Sequence, residues 1–148
     1  MNIEITSLAT TKCDEERIKS VASYALNKLG IHPDSELSIS LVEESEMETL
    51  HIQWMDEPGA TDVLSFPMDE MRPNSASTGP GVLGDIVLCP DFAKKQAEVA
   101  GNSLQEELEL LTVHGVLHLL GFDHRESEEK QVMFALQDEY LKGWRIQA

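Results

Sequence analysis

Residues 114–124 read HGVLHLLGFDH, and they hold three of the five histidines of the chain. His114 and His118 are four residues apart, so an α-helix presents them on one face. Gly121 can adopt the left-handed conformation that ends a helix, which turns the chain and brings His124 back toward the same point. In many zinc enzymes, three neutral imidazoles hold a catalytic Zn²⁺ and leave its fourth position open for a water whose pKa is near ~7.

The alternative interpretation is that these histidines belong to the core and are satisfied by backbone groups. Residues 113–120 are apolar all round apart from the two histidines, a pattern that indicates a buried helix. Burying two imidazoles there costs free energy unless something binds them. The sequence therefore favours a metal site over a structural role.

The spacing of the three histidines is that of the metzincin proteases, which carry a third histidine after the glycine. Those enzymes place a glutamate directly after the first histidine, where it serves as general base. The corresponding residue here is Gly115. The zinc-binding half of the signature is present and the protease half is missing, so the pattern indicates a metal without indicating a substrate.

The flanking sequence predicts four strands and five helices. Alternating or continuous apolar runs place the strands at residues 2–7, 37–41, 62–67 and 82–88, the last apolar enough to be central. Periodicity and capping signals place the helices at 14–29, around 47–54, after Pro90, at 103–120 and after His124. Residues 67–81 are expected to form a long, mobile loop.

The predicted order β-α-β-α-β-β-α-α-α indicates an α+β fold with one mixed four-stranded sheet and the metal site on a helix of the C-terminal half. We expect residues 1–148 to form a single domain, because the sequence contains no repeat and no linker. It has no membrane-length apolar run and no signal-peptide pattern, and Cys13 and Cys89 form no C-x-x-C pair. A cytoplasmic location is the expectation.

The formal net charge of −16 argues against non-specific binding of nucleic acid over the whole surface. A local basic patch is compatible with this net charge, because salt largely screens the interaction between charges that are more than about 8 Å apart. The basic residues are unevenly placed along the chain: Lys12, Arg17, Lys19 and Lys28 come early, and Lys94 and Lys95 are adjacent.

Three segments resemble the YbeY family of bacteria: the 114–124 signature, TDVLSFP at 61–67, and LGDIV at 83–87. The resemblance implies a zincin-like α+β fold with one zinc per chain, bound by His114, His118 and His124. It also implies a single-strand-specific endoribonuclease that acts in maturation of the 16S rRNA 3′ end and in ribosome quality control. The expected partner is the small ribosomal subunit, with recruitment through ribosomal or assembly proteins and with neither a membrane nor a nucleotide cofactor involved.

One departure from the family pattern matters. Many members carry an arginine, thought to help with RNA, where this chain has Met55. With Gly115 after the first histidine, no general base is identified, and water activated by the zinc is the expected nucleophile.

Four further positions have competing interpretations. Asp123 either orients a ligand imidazole or caps the next helix. Asp85 is read as a hydrogen-bonded strand residue rather than an acid near the cleft, and His51 as a packing residue. Ser65 and Phe66 are placed to contact substrate at the sheet edge, although a core role is favoured for Phe66.

Two other functions remain open at this point. One is a metal-dependent hydrolase of another bond, such as an amide. The other is a non-catalytic assembly factor, in which zinc holds the C-terminal half together and the acidic surface docks on basic ribosomal proteins.

Overall fold

The computed structural model describes residues 1–55 and 61–147, without the side chain of Met55. Its elements follow the predicted order, with a short 3₁₀ turn at Ala76–Thr78 that the sequence did not predict. The strands are β1 (Asn2–Ser7), β2 (Glu36–Leu41), β3 (Val63–Pro67) and β4 (Val82–Leu88). The helices are α1 (Glu15–Lys28), α2 (Glu44–Met55), α3 (Pro90–Ala100), α4 (Leu104–Leu119) and α5 (Ser127–Gln147).

The four strands form one mixed sheet in the order β1-β2-β4-β3. β1, β2 and β4 run parallel, and β3 pairs antiparallel with β4 at the edge of the sheet. β4 therefore lies inside the sheet, as its apolar sequence predicts. The predicted α+β class and the mixed four-stranded sheet are confirmed.

The helix that carries His114 and His118 lies at the centre of the fold. α4 packs against β3 and β4 on one side and against α1, α3 and α5 on the others. It begins with a capping box in which Ser103 and Glu106 each accept a hydrogen bond from the other's backbone N–H. Because neighbours surround it, its apolar residues face in all directions, as the sequence indicates.

A buried ion cluster joins α4 to two other helices. Glu109 is 1% exposed, and its carboxylate accepts from Nε of Arg17 at 2.9 Å and from Nη2 of Arg145 at 3.3 Å. The side-chain amide of Gln105 donates a third hydrogen bond. The charge of Glu109 is thus compensated by one residue from α1 and one from α5.

β3 separates two packing regions. Ser65 donates a hydrogen bond to the carbonyl of Gly115, so this face of the strand meets α4. Leu64 and Phe66 point to the opposite face, where they pack with Val87 and with Met47 of α2 in a second, smaller apolar cluster. The alternation of side chains along one edge strand therefore determines which of them face α4.

The loop between β3 and β4 is anchored by hydrogen bonds along its length. Asp69 exchanges hydrogen bonds with Val82 at the base of the loop. In its middle, the N–H groups of Asn74 and Ala76 donate to the carbonyls at the end of α1. The loop is as long as predicted, and these bonds fix its path over α1, a feature that composition alone does not indicate. Among the described residues, no helix combines the length and apolar character required to cross a membrane.

Candidate metal centre

The histidine signature folds into a helix end followed by a tight turn. α4 presents His114 and His118 on one face, and the N–H of Gly121 donates to the carbonyl of His118 at 3.0 Å. Gly121 has φ +95°, a conformation that side-chain-bearing residues rarely adopt. The turn leads to His124 three residues later, which is the geometry that the sequence predicts.

The structure brings the three histidines together. The ring centroids are 4.7 Å apart for His114 and His118, 5.4 Å for His114 and His124, and 5.2 Å for His118 and His124. One nitrogen from each ring lies within 4.8 Å of the others, a spacing that allows them to hold a metal ion. No other such group of histidine, cysteine or carboxylate side chains occurs within 1–55 and 61–147.

Burial keeps two of the rings neutral, which is the form that binds a metal. Burial, followed by the neighbouring imidazoles of His114 and His124, lowers the pKa of His118 to about 4. Burial also lowers the pKa of His114. The lone pairs of these two rings are therefore available at neutral pH. A set of three imidazole nitrogen donors fits Zn²⁺, although imidazole also suits nickel and copper.

A glutamine that the sequence analysis did not identify orients one of the rings. Gln137 of α5 is 8% exposed, and its Oε1 lies 3.0 Å from Nδ1 of His114. An amide oxygen only accepts, so Nδ1 carries the proton and Nε2 keeps the lone pair. Phe134 of the same helix forms a wall, with its ring centroid 6.2 Å from those of His114 and His124.

The imidazoles open into a cavity of about 490 Å³. Its opposite wall is the segment that runs into and through β3, formed by Thr61, Asp62, Val63, Leu64, Ser65 and Pro67. Asp62 is the one carboxylate among the described lining residues. It also lies near Glu107 of α4, whose pKa is raised first by burial and further by the Asp62 charge.

Asp123 takes neither of the two roles that the sequence left open. Its Oδ1 accepts from the backbone N–H of His124 at 2.7 Å, and Oδ2 lies 3.2 Å from Nε of Arg125. The carboxylate therefore fixes the backbone that carries the third histidine, and α5 begins only at Ser127. The backbone hydrogen bond, together with the Arg125 charge, lowers the pKa of Asp123.

The remaining sequence candidates divide between the two faces of β3. Ser65 lines the histidine cavity, as expected for a residue at the sheet edge. Phe66 and Asp85 lie on the other face, and Phe66 packs against the smaller apolar cluster. His51 lies on α2, outside the histidine group. Asp85 therefore lies outside the histidine cavity, and the hydrogen bond expected of it as a strand residue is not found for its carboxylate within residues 1–55 and 61–147.

Gly115 lies where α4 packs directly against β4. A Cβ atom there would lie 3.0–3.2 Å from three side-chain atoms of Ile86. A glutamate at this position would have to push the Ile86 side chain aside, so the packing opposes the carboxylate that metzincin chemistry uses. The geometry disfavours an amide hydrolase of that type.

Comparison with known sequences assigns this arrangement to a family. The family described as Endoribonuclease YbeY matches residues 2–145, which span nearly the whole chain and include all three histidines. The chain belongs to the YbeY family. The resemblance carried by the 114–124 signature is thereby confirmed.

Individual relatives align with this chain over most of their lengths. Proteins named Endoribonuclease YbeY from Thermobifida fusca and Acidothermus cellulolyticus are 52% and 56% identical, over 98% of this chain and 95% and 92% of their own. The protein of the same name from Clavibacter sepedonicus is 56% identical over 99% of this chain and 97% of its own. The solution structure of TM1509 from Thermotoga maritima superposes with a TM-score of 0.65 at 28% identity, covering 95% and 89% of the two chains.

Proposed function

We propose that this protein is a zinc-dependent endoribonuclease, specific for single strands, that matures the 3′ end of 16S rRNA and acts in ribosome quality control. One zinc per chain would be bound by His114, His118 and His124, and residues 1–148 would form one hydrolase domain in the cytoplasm. The observation that carries the proposal is the convergence of three imidazoles on one open cavity, in a member of a family named for endoribonuclease activity.

The side chains around the histidines orient the groups that would hold the metal. When bound, zinc would polarise a phosphoryl oxygen and lower the pKa of water. Gln137 holds His114 in the tautomer that presents Nε2, and Asp123 fixes the backbone of His124. Gly115 offers no base, and Asp62 is the carboxylate that the described cavity lining presents for proton transfer.

One arginine is available to bind the RNA backbone near the histidines. Arg17 and Arg145 pair with a buried glutamate and Arg125 pairs with an aspartate, whereas no partner of Arg72 is found among the described residues. Its Nη1 lies 2.8 Å from the position that a Cβ on Gly121 would occupy. Arg72 therefore lies on the turn that joins two histidines, and we assign it to a phosphate of the substrate.

The net charge bears on how the enzyme reaches its substrate. With −16 on the chain, attraction to the phosphate backbone is weak over most of the surface. We therefore assign most of the affinity to contacts with ribosomal or assembly proteins on the small subunit. Met55, where many members carry arginine, has a side chain outside the described residues.

The test is cleavage of purified rRNA fragments in single-stranded and duplex form, with protein purified without added metal and analysed for metal content. We expect one zinc per chain, chelator-sensitive cleavage of the single strand and intact duplex. A variant with all three histidines replaced by alanine should lose both metal and cleavage.

Two results would contradict the proposal. Zinc-containing protein that leaves single-stranded rRNA intact would favour a non-catalytic assembly factor. Chelator-sensitive cleavage of casein would favour a hydrolase of amide bonds.

A further inference from the structure

A second cavity lies across β3 from the histidines. It is a groove of about 630 Å³ lined mainly by apolar side chains, among them Leu50, Trp54, Phe66 and Val87. The indole of Trp54 is 61% exposed and meets the ring of Phe66 edge to face, with centroids 6.1 Å apart. The other tryptophan, Trp144, is 2% exposed within the core. The groove thus presents a large aromatic surface to solvent.

The single charged residue in the described lining of the groove limits the chemistry of a ligand that could bind there. Asp85 is the one charged residue in its described lining, and no hydrogen-bond partner of its carboxylate is found within residues 1–55 and 61–147. A phosphate would be repelled by this carboxylate, and a purely apolar ligand would leave it unsatisfied. A flat, neutral ring that carries an N–H donor satisfies both the aromatic surface and the acceptor.

The groove and the histidine cavity meet at the end of β3. Pro67, at the end of β3, lines both of them. The adjacent residues Ser65 and Phe66 face the cavity and the groove respectively, because side chains alternate along a strand. A chain that crosses the end of β3 with a charged group among the histidines therefore places its next side group beside Trp54.

We propose that the groove is a nucleobase subsite for the RNA strand whose phosphate lies among the histidines. Trp54 and Phe66 provide the stacking surface, and Asp85 accepts a hydrogen bond from an exocyclic amine of the base. Cytosine, adenine and guanine carry such an amine, whereas uracil offers only its single ring N–H, so the subsite favours the amine-bearing bases. This inference rests on the proposed ribonuclease function and adds the recognition of a base to it.

The experiment measures binding of nuclease-resistant 2′-O-methyl oligonucleotides by quenching of tryptophan fluorescence and by anisotropy of a labelled strand. The probes are oligocytidylate, oligouridylate and an abasic strand of equal length. Trp54→Ala should weaken oligocytidylate binding at least about fivefold while leaving the abasic strand unaffected. Trp54→Phe retains a stacking ring and should remain within about twofold of the wild type.

Two further variants make the experiment specific. Ile52→Ala removes a side chain that is 48% exposed on the same helix, outside the groove lining, and should leave all three affinities unchanged. Asp85→Asn should reduce the preference for cytidylate over uridylate, because the amide loses the charge that strengthens the acceptor.

The outcomes separate this inference from the proposed function. Equal oligocytidylate affinity of Trp54→Ala and wild type overturns the subsite, as does an equal loss for the abasic strand. A basic peptide serves as a fourth probe: if Trp54→Ala weakens its binding and leaves oligocytidylate binding unchanged, the groove belongs to a protein partner and the subsite is overturned. Base-dependent binding without RNA cleavage supports the subsite and contradicts the nuclease proposal, whereas cleavage without base dependence does the reverse.

Discussion

Nδ1 of His114 lies 3.0 Å from Oε1 of Gln137, so the last helix holds the first histidine of the signature in one tautomer. Gln137→Leu keeps the bulk of the side chain and removes the acceptor. We expect the zinc affinity to fall by about 10- to 100-fold, because the ring loses the partner that fixes its orientation and raises its basicity. Competition with a chromogenic chelator measures this affinity.

The matched control for Gln137 lies on the same helix. Gln131 is exposed, so Gln131→Leu should leave the zinc affinity unchanged. Equal affinities of wild type and Gln137→Leu would show that the hydrogen bond has no role in metal binding.

The lowered pKa of His118 predicts a pH dependence of the metal-free protein. Between its unfolded pKa of about 6.5 and its folded pKa of about 4, the unfolded chain takes up a proton that the native state does not. The free energy of unfolding should therefore decrease as the pH falls through this window, by on the order of 3 kcal/mol at most. Urea unfolding from pH 7.5 to 4 measures the decrease.

A variant isolates the contribution of His118 from those of the many carboxyl groups. His118→Gln should show a shallower decrease over the same window. Parallel curves for the two proteins would contradict a neutral, buried His118.

Gly115 predicts a packing effect. Gly115→Ala gains about 1 kcal/mol of helix propensity, but its Cβ would contact Ile86 at 3.0–3.2 Å, and overpacking costs about 1–3 kcal/mol. We expect a net loss of stability. In an Ile86→Val background, which removes the terminal methyl, the same change should cost less, and a double-mutant cycle measured by chemical unfolding gives the difference. Additive effects of the two substitutions would mean that the loss of stability does not arise from the contact between residue 115 and Ile86.

The ion cluster around Glu109 predicts a measurable effect of removing its shared carboxylate. Glu109→Ala leaves Arg17 and Arg145 without their partner, and because these side chains are 41% and 38% exposed we expect a loss of about 1–3 kcal/mol in the free energy of unfolding. Glu98→Ala, on the exposed face of α3, should remain within about 0.5 kcal/mol. A similar, small effect of both substitutions in thermal unfolding would mean that the cluster contributes little.

Arg72 and the net charge together predict weak binding of free RNA. We expect modest affinity for single-stranded rRNA with a shallow salt dependence, and tighter binding of small ribosomal subunits. Arg72→Ala should make the dependence of log affinity on log salt concentration shallower by about one. Lys142→Ala removes one charge from the exposed face of α5 and should leave the slope unchanged. Free RNA that binds as tightly as subunits, with a steep slope, would contradict recruitment by proteins.

The sequence predicted the element order and the convergence of the histidines because both follow from local rules. Periodicity places each helix and strand, and His114, His118 and His124 are related by one helical turn and one glycine. Gln137 was missed although it interrupts the row of apolar residues on the buried face of α5. That row predicts which face of the helix is buried, but it does not predict which helix packs against that face.

Two other features depend on distances between elements that are remote in sequence. The absence of glutamate at Gly115 was evident, but its contact with Ile86 requires the position of α4 over β4. The division of Ser65 and Phe66 between two cavities requires knowledge of which face of β3 meets α4. Strand alternation separates the two side chains without assigning either to a face.

The position of α5 in the chain has a consequence for biosynthesis. Chains fold from the N-terminus as they are made, at about 5–20 residues per second. Nε1 of Trp144 donates to Oγ of Ser20 at 2.9 Å, and Oε1 of Gln137 contacts His114, so both contacts wait until α5 has been made. The nascent chain therefore presents its three histidines before the helix that orients His114, and the histidine site reaches its final geometry only after α5 has folded.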